Sequence, residues 1–353
     1  MECHDASCCV YYATDSHYTV QTGVSLYTLC ENNRELPELD IWMFVSDIED
    51  SVREKYLGIA GQFGRTVHIV ESADVYSYIS RQFHMNLSAY DQVEIYIYVL
   101  RLFALDYLAD KYDTALYIDA DTIVRGNVFP AMNYVKDTPL AMVLDSMPAG
   151  YKKTLGISPE EPYYNSGVIA ANLKLWRERQ CVKRILDHML KVYSGYWFRE
   201  QDLLNIVLQD ETAVLPLRFN VMTFYPLFNY SRLRLLLGRS NRYYTEEEYL
   251  EASQKPVITH LVEAYQGRPW QEGNTNPCCA LWEDYARKAG WEEWPTYEIH
   301  WGRRGWFQTK TRQLLGPGAF AWMVKLSSLY NDRFAADLYK SAQVGAWRPK
   351  EDI

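Results

Sequence analysis

Two aspartates separated by one residue follow an apolar run near the middle of this 353-residue chain. Residues 115–118 (ALYI) predict a buried strand, and Asp119 and Asp121 stand at its carboxyl end. Carboxylates are rarely buried unpaired, so two of them beside a strand need a cation. Their hard oxygens suit Mg²⁺ or Mn²⁺, and an ion held by few protein groups keeps positions open for phosphate oxygens. The pair also fits a solvated turn, so by itself it leaves a metal site and a turn as alternatives.

Five further side chains could act near such a site, and each also has a purely structural interpretation. His260 ends the predicted strand KPVITH, where it is either a metal ligand that favours Mn²⁺ or a hydrogen-bonded structural histidine. Arg101 lies in an apolar helical stretch, so it needs an anion, which is either an internal aspartate or a bound phosphate. Asn165 either forms a turn with the Ser-Gly that follows it or faces a cleft. Tyr18 and Gln201 stand at predicted helix starts, where they are either packing or surface residues or members of the same cleft.

The first half of the chain alternates short apolar runs with helical patterns. Predicted strands cover 8–14, 41–46 and 66–71, and helical spacing covers 19–33 and 48–64. This alternation indicates a mostly parallel sheet with helices on both faces. Ligands of open sheets of this kind bind beyond the carboxyl ends of the strands. We therefore expect Asp15, which follows the first strand, to lie beside Asp119 and Asp121.

The composition argues against several classes of protein. The net charge of −9 argues against nucleic-acid binding, and no run of about eighteen apolar residues is present that would span a bilayer. The seven cysteines show no CxxC spacing and the N-terminus lacks a signal-peptide pattern, so we expect a cytoplasmic protein with reduced thiols and no zinc site. Residues 300–353 differ from the rest, because nine Lys or Arg against four acids give them a charge of +5 and leave −14 for the remainder.

Five stretches, in this order, resemble the family 8 glycosyltransferases: YATDSHY, YIDADTIV, YYNSGVIAANLKLW, EQDLLN and ITHLVEAYQGRPW. That family consists of retaining enzymes of the GT-A fold and includes bacterial lipopolysaccharide galactosyl- and glucosyltransferases and glycogenin. The resemblance covers roughly residues 8–285. It implies an α/β fold of the GT-A nucleotide-diphospho-sugar transferase type, with a mostly parallel central sheet and helices on both faces.

Carried over position by position, the resemblance implies a role for each candidate residue. The residues that hold uracil would be Ala13, Asp15 and Tyr18. The metal ligands would be Asp119, Asp121 and His260, with Asp121 also near the ribose and diphosphate. The cations that meet the donor would be Arg101 and, at its diphosphate, Arg268. The hydroxyls of the donor sugar would bind Asn165 and Asp202, and Gln201 would lie under its anomeric carbon.

Three positions depart from the family pattern. His17 stands at the second position after the uracil aspartate, where the family usually has Asn, and Glu200 replaces the Asp that commonly precedes the Gln-Asp pair. The segment from His260 to the Gly-Arg-Pro-Trp sequence is two residues longer than usual, and it has Arg268 in place of Lys. An arginine still supplies a fixed cation that can grip phosphate with two hydrogen bonds, so the charge pattern is retained.

These features predict a metal-dependent retaining transferase that uses Mn²⁺ or Mg²⁺. It would move a hexose, galactose or glucose, from a UDP-sugar to a glycan or lipid-linked saccharide in surface polysaccharide or lipopolysaccharide biosynthesis. Because a neutral glutamine is a poor nucleophile, we favour front-face attack over a covalent intermediate. The alternatives are a glycogenin-like or other hexosyltransferase with a different acceptor, and a UDP-sugar-binding protein that turns over weakly.

The chain is predicted to divide into a catalytic domain, 1–290, and a basic, aromatic helical extension, 291–353. In the extension, apolar residues 322, 326, 329, 330, 334 and 338 fall on one helical stripe. This stripe either closes over apolar surface of the catalytic domain or takes part in peripheral contact with an anionic membrane through 300–340. The second alternative would place a cytoplasmic protein at the inner membrane face.

Overall fold

The computed structural model describes residues 7–36, 39–84, 93–147, 149–192, 199–237 and 242–298, together with 316, 319, 322 and 323. The predicted extension therefore lies mostly outside the described residues. Within the described part, none of the helices is long and apolar enough to cross a membrane.

A seven-stranded sheet forms the centre of the protein. Its strands are β1 (Cys8–Asp15), β2 (Asp40–Ser46), β3 (Val67–Glu71), β4 (Thr114–Ile118), β6 (Leu140–Leu144), β7 (Tyr164–Asn172) and β8 (Thr212–Val214), in the spatial order β3-β2-β1-β4-β7-β6-β8. The first four strands of that order run parallel, as do β6 and β8, whereas β7 is antiparallel to both of its neighbours. The sheet is therefore mixed, with four of its six strand pairs parallel, and its longest apolar runs are buried.

Helices cover both faces of this sheet, as the alternating pattern predicted. Those of the first half are α1 (Thr19–Asn32), α2 (Asp50–Gly61), α3 (Ser72–Phe83) and α4 (Val93–Leu108). Successive side chains of a strand point to opposite faces, and Tyr11 and Tyr12 are successive in β1. The hydroxyl of Tyr11 donates to the backbone oxygen of Arg101 in α4, whereas the hydroxyl of Tyr12 accepts from Ser25 in α1. Hence α1 and α4 lie on opposite faces.

The second half of the chain adds further helices, most of them shorter than those of the first half. They are α5 (Ala149–Thr154), α6 (Leu173–Glu178), α7 (Cys181–Val192), α8 (Arg199–Val207), α9 (Tyr230–Leu237), α10 (Glu246–Gln254) and α11 (Cys279–Lys288). Their starts follow ordinary capping chemistry. Asn172 accepts from the backbone N–H of Leu175 at the start of α6, and Thr245 and Glu248 form a capping box at the start of α10.

A three-stranded sheet of order β5-β10-β9 continues from the central sheet beside its carboxyl edge. Its strands are β5 (Thr122–Val124), β9 (Val221–Met222) and β10 (Ile258–His260). The chain leaves β4 of the central sheet at Ile118 and enters β5 of this second sheet at Thr122. Asp119 and Asp121 thus lie in the bend between two sheets, which supplies the sharp turn that two neighbouring carboxylates need to converge.

Residues 291–298, which the sequence assigned to the start of the extension, pack against the catalytic domain. The ring of Trp291 occupies the space beside Gly23 of α1, where a Cβ atom would lie 1.9 Å from Cη2 of the tryptophan. The short strand β12 (Tyr297–Glu298) pairs in parallel with β11 (Gln271–Glu272). In the described residues the chain therefore stays attached to the catalytic domain beyond position 290.

Candidate active site and metal cluster

Two backbone contacts fix the bend that carries the paired aspartates. The N–H of Asp119 donates to the oxygen of Gly167 in β7 at 2.8 Å, and the oxygen of Asp121 accepts from the N–H of Leu261 at 2.8 Å. The second contact follows the antiparallel pairing of β5 with β10, in which His260 lies opposite Thr122. The bend is therefore held from β7 on one side and from the end of β10 on the other.

Asp119, Asp121 and His260 form one cluster, as the resemblance implied. A ligand atom from each of them can be chosen so that all three lie within 4.8 Å of one another. Nε2 of His260 lies 3.1 Å from Oδ1 of Asp121 and 3.7 Å from Oδ2 of Asp119. Two carboxylates and one imidazole at this spacing fit a divalent ion that retains open positions, and the imidazole favours Mn²⁺ among the candidates.

The charges of the cluster are strongly coupled. Burial alone would raise the pKa of Asp121, but His260 and Arg268 face it and hold that pKa well below its usual range. Burial alone would lower the pKa of His260, but the carboxylates of Asp121 and Asp119 outweigh it and raise that pKa. Nη2 of Arg268 lies 3.2 Å from Oδ2 of Asp121. Arg268 therefore reaches the edge of the cluster although the segment before it is two residues longer than usual.

Arg101 pairs with an internal aspartate, which is one of the two partners that its burial predicted. Its Nη1 donates to Oδ1 of Asp119 at 2.7 Å and lies 3.5 Å from Oε1 of Glu200. Its guanidinium also lies over the ring of Tyr117, 4.6 Å from the centroid. Burial raises the pKa of Glu200, and Arg101 opposes this rise while Asp119 adds to it. Arg101 thus links the Asp119–Asp121–His260 cluster to the carboxylate at the start of α8.

A second polar network adjoins the cluster and contains the two predicted amide side chains, Asn165 and Gln201. The side-chain NH₂ groups of Asn165 and Gln201 both donate to Oδ2 of Asp145, at 2.9 and 3.0 Å. Their amide oxygens accept from backbone N–H groups, Asn165 from Gly167 at 2.9 Å and Gln201 from Ser166 at 3.0 Å. The two side chains are therefore oriented from both ends, because a carboxylate can only accept and an N–H can only donate.

Asp202 lies apart from the other predicted site residues. It is fully buried, and its two oxygens accept from Tyr163 at 2.5 Å and Tyr151 at 2.6 Å. The hydroxyl of Tyr163 also accepts from Nε2 of Gln201 at 3.3 Å. In helix α8, successive residues face different directions, so Glu200 and Gln201 reach the cavity while Asp202 is directed behind it. Asp202 is therefore not among the residues that line the cavity, whereas Glu200 and Gln201 are.

The remaining predicted residues line one cavity of about 470 Å³. Its wall includes ten of the eleven, namely Ala13, Asp15, Tyr18, Arg101, Asp119, Asp121, Asn165, Gln201, His260 and Arg268. Asp15 accepts from the N–H of His17 at 2.9 Å and thereby caps the short 3₁₀ turn that carries Tyr18. The guanidinium of Arg268 lies 5.9 Å from the centroid of the Tyr18 ring. The end of β1 and the Asp119–Asp121–His260 cluster therefore line the same cavity.

Four residues of the site were not predicted from their types and spacing. Asp145 follows the apolar strand β6 and carries no motif of its own, and Tyr163 belongs to the motif YYNSGVIAANLKLW without a role assigned to it. Asn220 follows a single 3₁₀ turn and hydrogen-bonds Nδ1 of His260 at 2.9 Å, a contact that no local pattern signals. Gly167 is required because a Cβ atom there would lie 2.4 Å from Cε1 of His260. Only the Asn-Ser-Gly sequence gave a hint, and it fits an ordinary turn equally well.

Three features together define a protein of the GT-A nucleotide-sugar transferase fold. They are a mixed sheet covered by helices, a carboxylate–imidazole cluster at the carboxyl edge of that sheet, and a polar cavity beside the cluster. Comparison with known proteins agrees with this class. The model of Glycosyl transferase family 8 matches residues 9–273, and the chain belongs to that family.

Individual relatives are distant in sequence. Lipopolysaccharide 1,2-glucosyltransferase of Escherichia coli (strain K12) is 26% identical over 217 residues, which cover 60% of this chain and 62% of the relative. The chain thus matches less than two thirds of that protein's length. Lipopolysaccharide 1,3-galactosyltransferase of Salmonella typhimurium is 24% identical over 291 residues, which cover 77% of this chain and 80% of the relative.

Solved structures share the fold at still lower identity. The galactosyltransferase LgtC, in complex with donor and acceptor sugar analogs, superposes with a TM-score of 0.58 at 20% identity, over 81% of this chain and 97% of that chain. The WbbM bifunctional glycosyltransferase superposes with a TM-score of 0.62 at 18% identity, over 83% of this chain and 51% of that chain. Both likenesses show the GT-A fold of the catalytic domain.

Proposed function

We propose that this protein is a metal-dependent hexosyltransferase, which transfers galactose or glucose from a UDP-sugar to a saccharide acceptor with retention at the anomeric carbon. The observation that carries the proposal is the convergence of Asp119, Asp121 and His260 in one cavity with Arg268 and Tyr18. This convergence pairs a candidate divalent-metal site with a cation and an aromatic ring. These features suit a nucleoside diphosphate, because the metal and the cation can meet its phosphates and the ring can stack on its base.

The metal site is supported by the chemistry of its donor set. Two carboxylates and one neutral imidazole nitrogen would hold Mn²⁺ or Mg²⁺, with further positions left for diphosphate oxygens. When bound, such an ion would stabilise the negative charge that develops on the departing UDP. Arg268 adds a second cation on the same side, because its guanidinium already lies against Asp121.

The nucleotide would lie along the end of β1. The ring of Tyr18 can stack on uracil, and the carboxylate of Asp15 can accept a hydrogen bond from its N3–H. Ala13 lies next to them in the cavity wall, where a small side chain leaves room for the base. Asp15 is held in place by the N–H of His17, so the replacement of the family's usual Asn by histidine leaves this backbone contact available.

The donor sugar would meet Asn165, Gln201 and Glu200. We assign to Glu200 the carboxylate contact that the sequence gave to Asp202, because Glu200 lines the cavity whereas Asp202 is fully buried behind it. Asp202 would instead support Gln201 through the hydroxyl of Tyr163, which contacts both side chains. Arg101 would act through Asp119 and Glu200 by holding both carboxylates in position.

The hydrogen bonds of Gln201 favour front-face attack. Its carbonyl oxygen accepts from the N–H and the hydroxyl of Ser166 and its NH₂ group donates to Asp145, so both ends of the amide already hydrogen-bond the protein. A neutral amide is also a poor nucleophile. The acceptor hydroxyl would then attack on the side from which the diphosphate departs, and a phosphate oxygen would accept its proton.

The acceptor is proposed from the relatives. Proteins named as lipopolysaccharide 1,2-glucosyltransferase and 1,3-galactosyltransferase match most of the catalytic domain, so a lipopolysaccharide or other surface glycan is the first acceptor class to test. We further propose peripheral contact with an anionic membrane through residues 300–340, which would bring the cavity near a lipid-linked acceptor.

Donor hydrolysis tests the proposal most directly. The full chain is incubated with Mn²⁺ and UDP-galactose, UDP-glucose or UDP-N-acetylglucosamine, and the released UDP is measured. We expect one of the two hexose donors to be hydrolysed fastest and the rate to rise when a suitable saccharide acceptor is added. Binding of UDP without hydrolysis of any donor would instead favour a protein that only binds the nucleotide sugar. Mass increments of a hexose on the protein itself would favour a glycogenin-like acceptor.

A further inference from the structure

We propose that Asn220 is a positioning residue that fixes the tautomer of His260. It holds the proton on Nδ1, so that Nε2 is the nitrogen available to a metal ion at Asp119 and Asp121. The inference rests on the proposed metal site. Asn220 is fully buried and belongs to neither the cluster nor the cavity wall, so it would act only through the histidine. It lies on the loop between the turn Leu217–Phe219 and strand β9, beside β10, where His260 is the last residue.

The orientation of Asn165 is fixed first, by groups that have no alternative. The backbone N–H of Gly167 can only donate, and it lies 2.9 Å from Oδ1 of Asn165. On the other side, the carboxylate of Asp145 accepts from Nδ2 of Asn165 at 2.9 Å. The amide oxygen of Asn165 must therefore face Gly167, and the same oxygen lies 2.7 Å from Asn220.

The orientation of Asn220 follows from that of Asn165. An amide oxygen can only accept, so Asn220 must present its NH₂ group to Asn165. Its own oxygen is then directed toward Nδ1 of His260, 2.9 Å away. This oxygen accepts a hydrogen bond, which places a proton on Nδ1 and leaves Nε2 as the nitrogen that can offer a lone pair. Nε2 is the atom nearest to the carboxylates of Asp119 and Asp121.

The surrounding structure leaves the imidazole little freedom. His260 is 5% exposed, and its ring lies so close to Gly167 that a Cβ atom there would be 2.6 Å from Nδ1. The glycine thus makes room for the ring, and Asn220 supplies the only acceptor that contacts Nδ1 among the described residues. Partners of this kind fix the protonation and direction of metal-binding histidines, and their loss typically weakens metal binding roughly ten- to a hundredfold.

Calorimetric titration of the full chain with Mn²⁺, in the presence of UDP, tests this role directly. Asn220→Leu keeps the approximate volume and removes the acceptor, and Asn220→Ser withdraws it from Nδ1 because the serine side chain is shorter. Asn220→Asp retains an acceptor toward Nδ1 but loses the NH₂ group that donates to Asn165. Asn33→Leu is the matched control. Asn33 is 2% exposed, and its side chain makes hydrogen bonds to Leu29, Gly126 and Val128, none of which is a residue of the cluster.

We expect Asn220→Leu and Asn220→Ser to bind Mn²⁺ roughly ten- to a hundredfold more weakly than the parent, and Asn220→Asp to bind it more tightly than either. Asn33→Leu should keep the parent affinity even if its melting temperature falls. Equal affinities in the parent and the Leu and Ser variants would overturn the role of Asn220 and leave the metal site intact. An equal loss in Asn33→Leu would also overturn it. A parent that binds no Mn²⁺ would overturn the metal site and this role together.

Discussion

The hydroxyl of Tyr117 donates a 2.5 Å hydrogen bond to Oδ1 of Asp119, two residues further along the chain. Arg101 donates to the same oxygen at 2.7 Å. The other oxygen, Oδ2, is the one that faces Nε2 of His260. Residues two apart on an extended chain share a face, so the last strand residues before the bend bring Tyr117 and Asp119 together. The hydrogen bonds from Tyr117 and Arg101 therefore hold Oδ1 of Asp119 and leave Oδ2 directed toward His260.

Removal of the tyrosine hydroxyl should loosen this arrangement. We expect Tyr117→Phe to raise the Mn²⁺ concentration for half-maximal UDP-sugar hydrolysis roughly tenfold, because a hydrogen bond to a charged group contributes about 1.5–3 kcal/mol and only Arg101 would remain. Tyr249→Phe is the control, since its buried hydroxyl donates only to the backbone oxygens of Tyr225 and Phe228 among the described contacts. The same Mn²⁺ requirement in both variants would show that Tyr117 does not orient Asp119.

Much of the central sheet could be predicted from the sequence because its strands are continuous apolar runs. The runs 8–14, 41–46 and 66–71 became β1, β2 and β3 with bounds shifted by one residue at most. The antiparallel direction of β7 was not predictable in the same way. It depends on how the long connection after β6 returns the chain, which short-range periodicity does not encode.

The site was predictable where a motif carries it and not where the tertiary structure assembles it. Asp119, Asp121 and His260 could be found because their types match a metal site and their surroundings match a family. Asn220 could not, since it meets His260 only when β9 pairs with β10, forty residues later in the chain. The position of Glu200 in the cavity wall, with Asp202 buried behind it, has a similar cause. The direction of α8 against the cavity decides which carboxylate enters it, and the motif alone does not.

Loss of one metal ligand should abolish most turnover. We expect Asp119→Asn to lower UDP-sugar hydrolysis on the order of a hundredfold or more, since a neutral amide binds Mn²⁺ weakly and offsets no charge on Arg101. The far-ultraviolet circular dichroism should match that of the parent, and Asp121→Asn should behave alike. Asp187→Asn, which removes a surface partner of Lys183, should keep full activity. Full activity of the parent in excess chelator would refute the requirement for a metal.

The nucleotide preference should follow the chemistry of the β1 end. Competition binding in the presence of Mn²⁺ should rank UDP above GDP and ADP by at least about tenfold, roughly 1.4 kcal/mol, because Asp15 can accept from the N3–H of uracil while Tyr18 stacks on its ring. Tyr18→Ala should lose most of this affinity, since stacking on an aromatic ring is worth about 1–3 kcal/mol per base. Tyr18→Phe retains the ring and should bind UDP nearly as well as the parent. Equal binding of GDP and UDP would argue against the uracil assignment.

Two helical glycines offer a paired test of the packing beyond residue 290. Gly23→Ala would place a Cβ atom 1.9 Å from Trp291, so we expect a loss of about 1–3 kcal/mol in the free energy of unfolding. Gly58 in α2 is surrounded by open space, since a Cβ atom there would meet no heavy atom within 4 Å. Gly58→Ala should therefore gain up to about 1 kcal/mol from helix propensity. Urea unfolding followed by circular dichroism measures both changes. A neutral Gly23→Ala would mean that Trp291 does not pack on α1.

The basic extension should decide whether the protein associates with membranes. Arg303, Arg304, Lys310 and Arg312 lie within ten residues of one another among several aromatic residues. Each basic group near an anionic surface contributes about 1 kcal/mol, so four of them together would support peripheral binding that weakens with added salt.

We expect the full chain to pellet with vesicles of anionic phospholipid at low ionic strength, and a chain truncated before His300 to remain in the supernatant. A variant with these four residues changed to Gln should behave like the truncated chain, whereas hydrolysis of the UDP-sugar by that variant should be unchanged. If the full and truncated chains pellet equally, or neither pellets, the stripe closes over the catalytic domain instead.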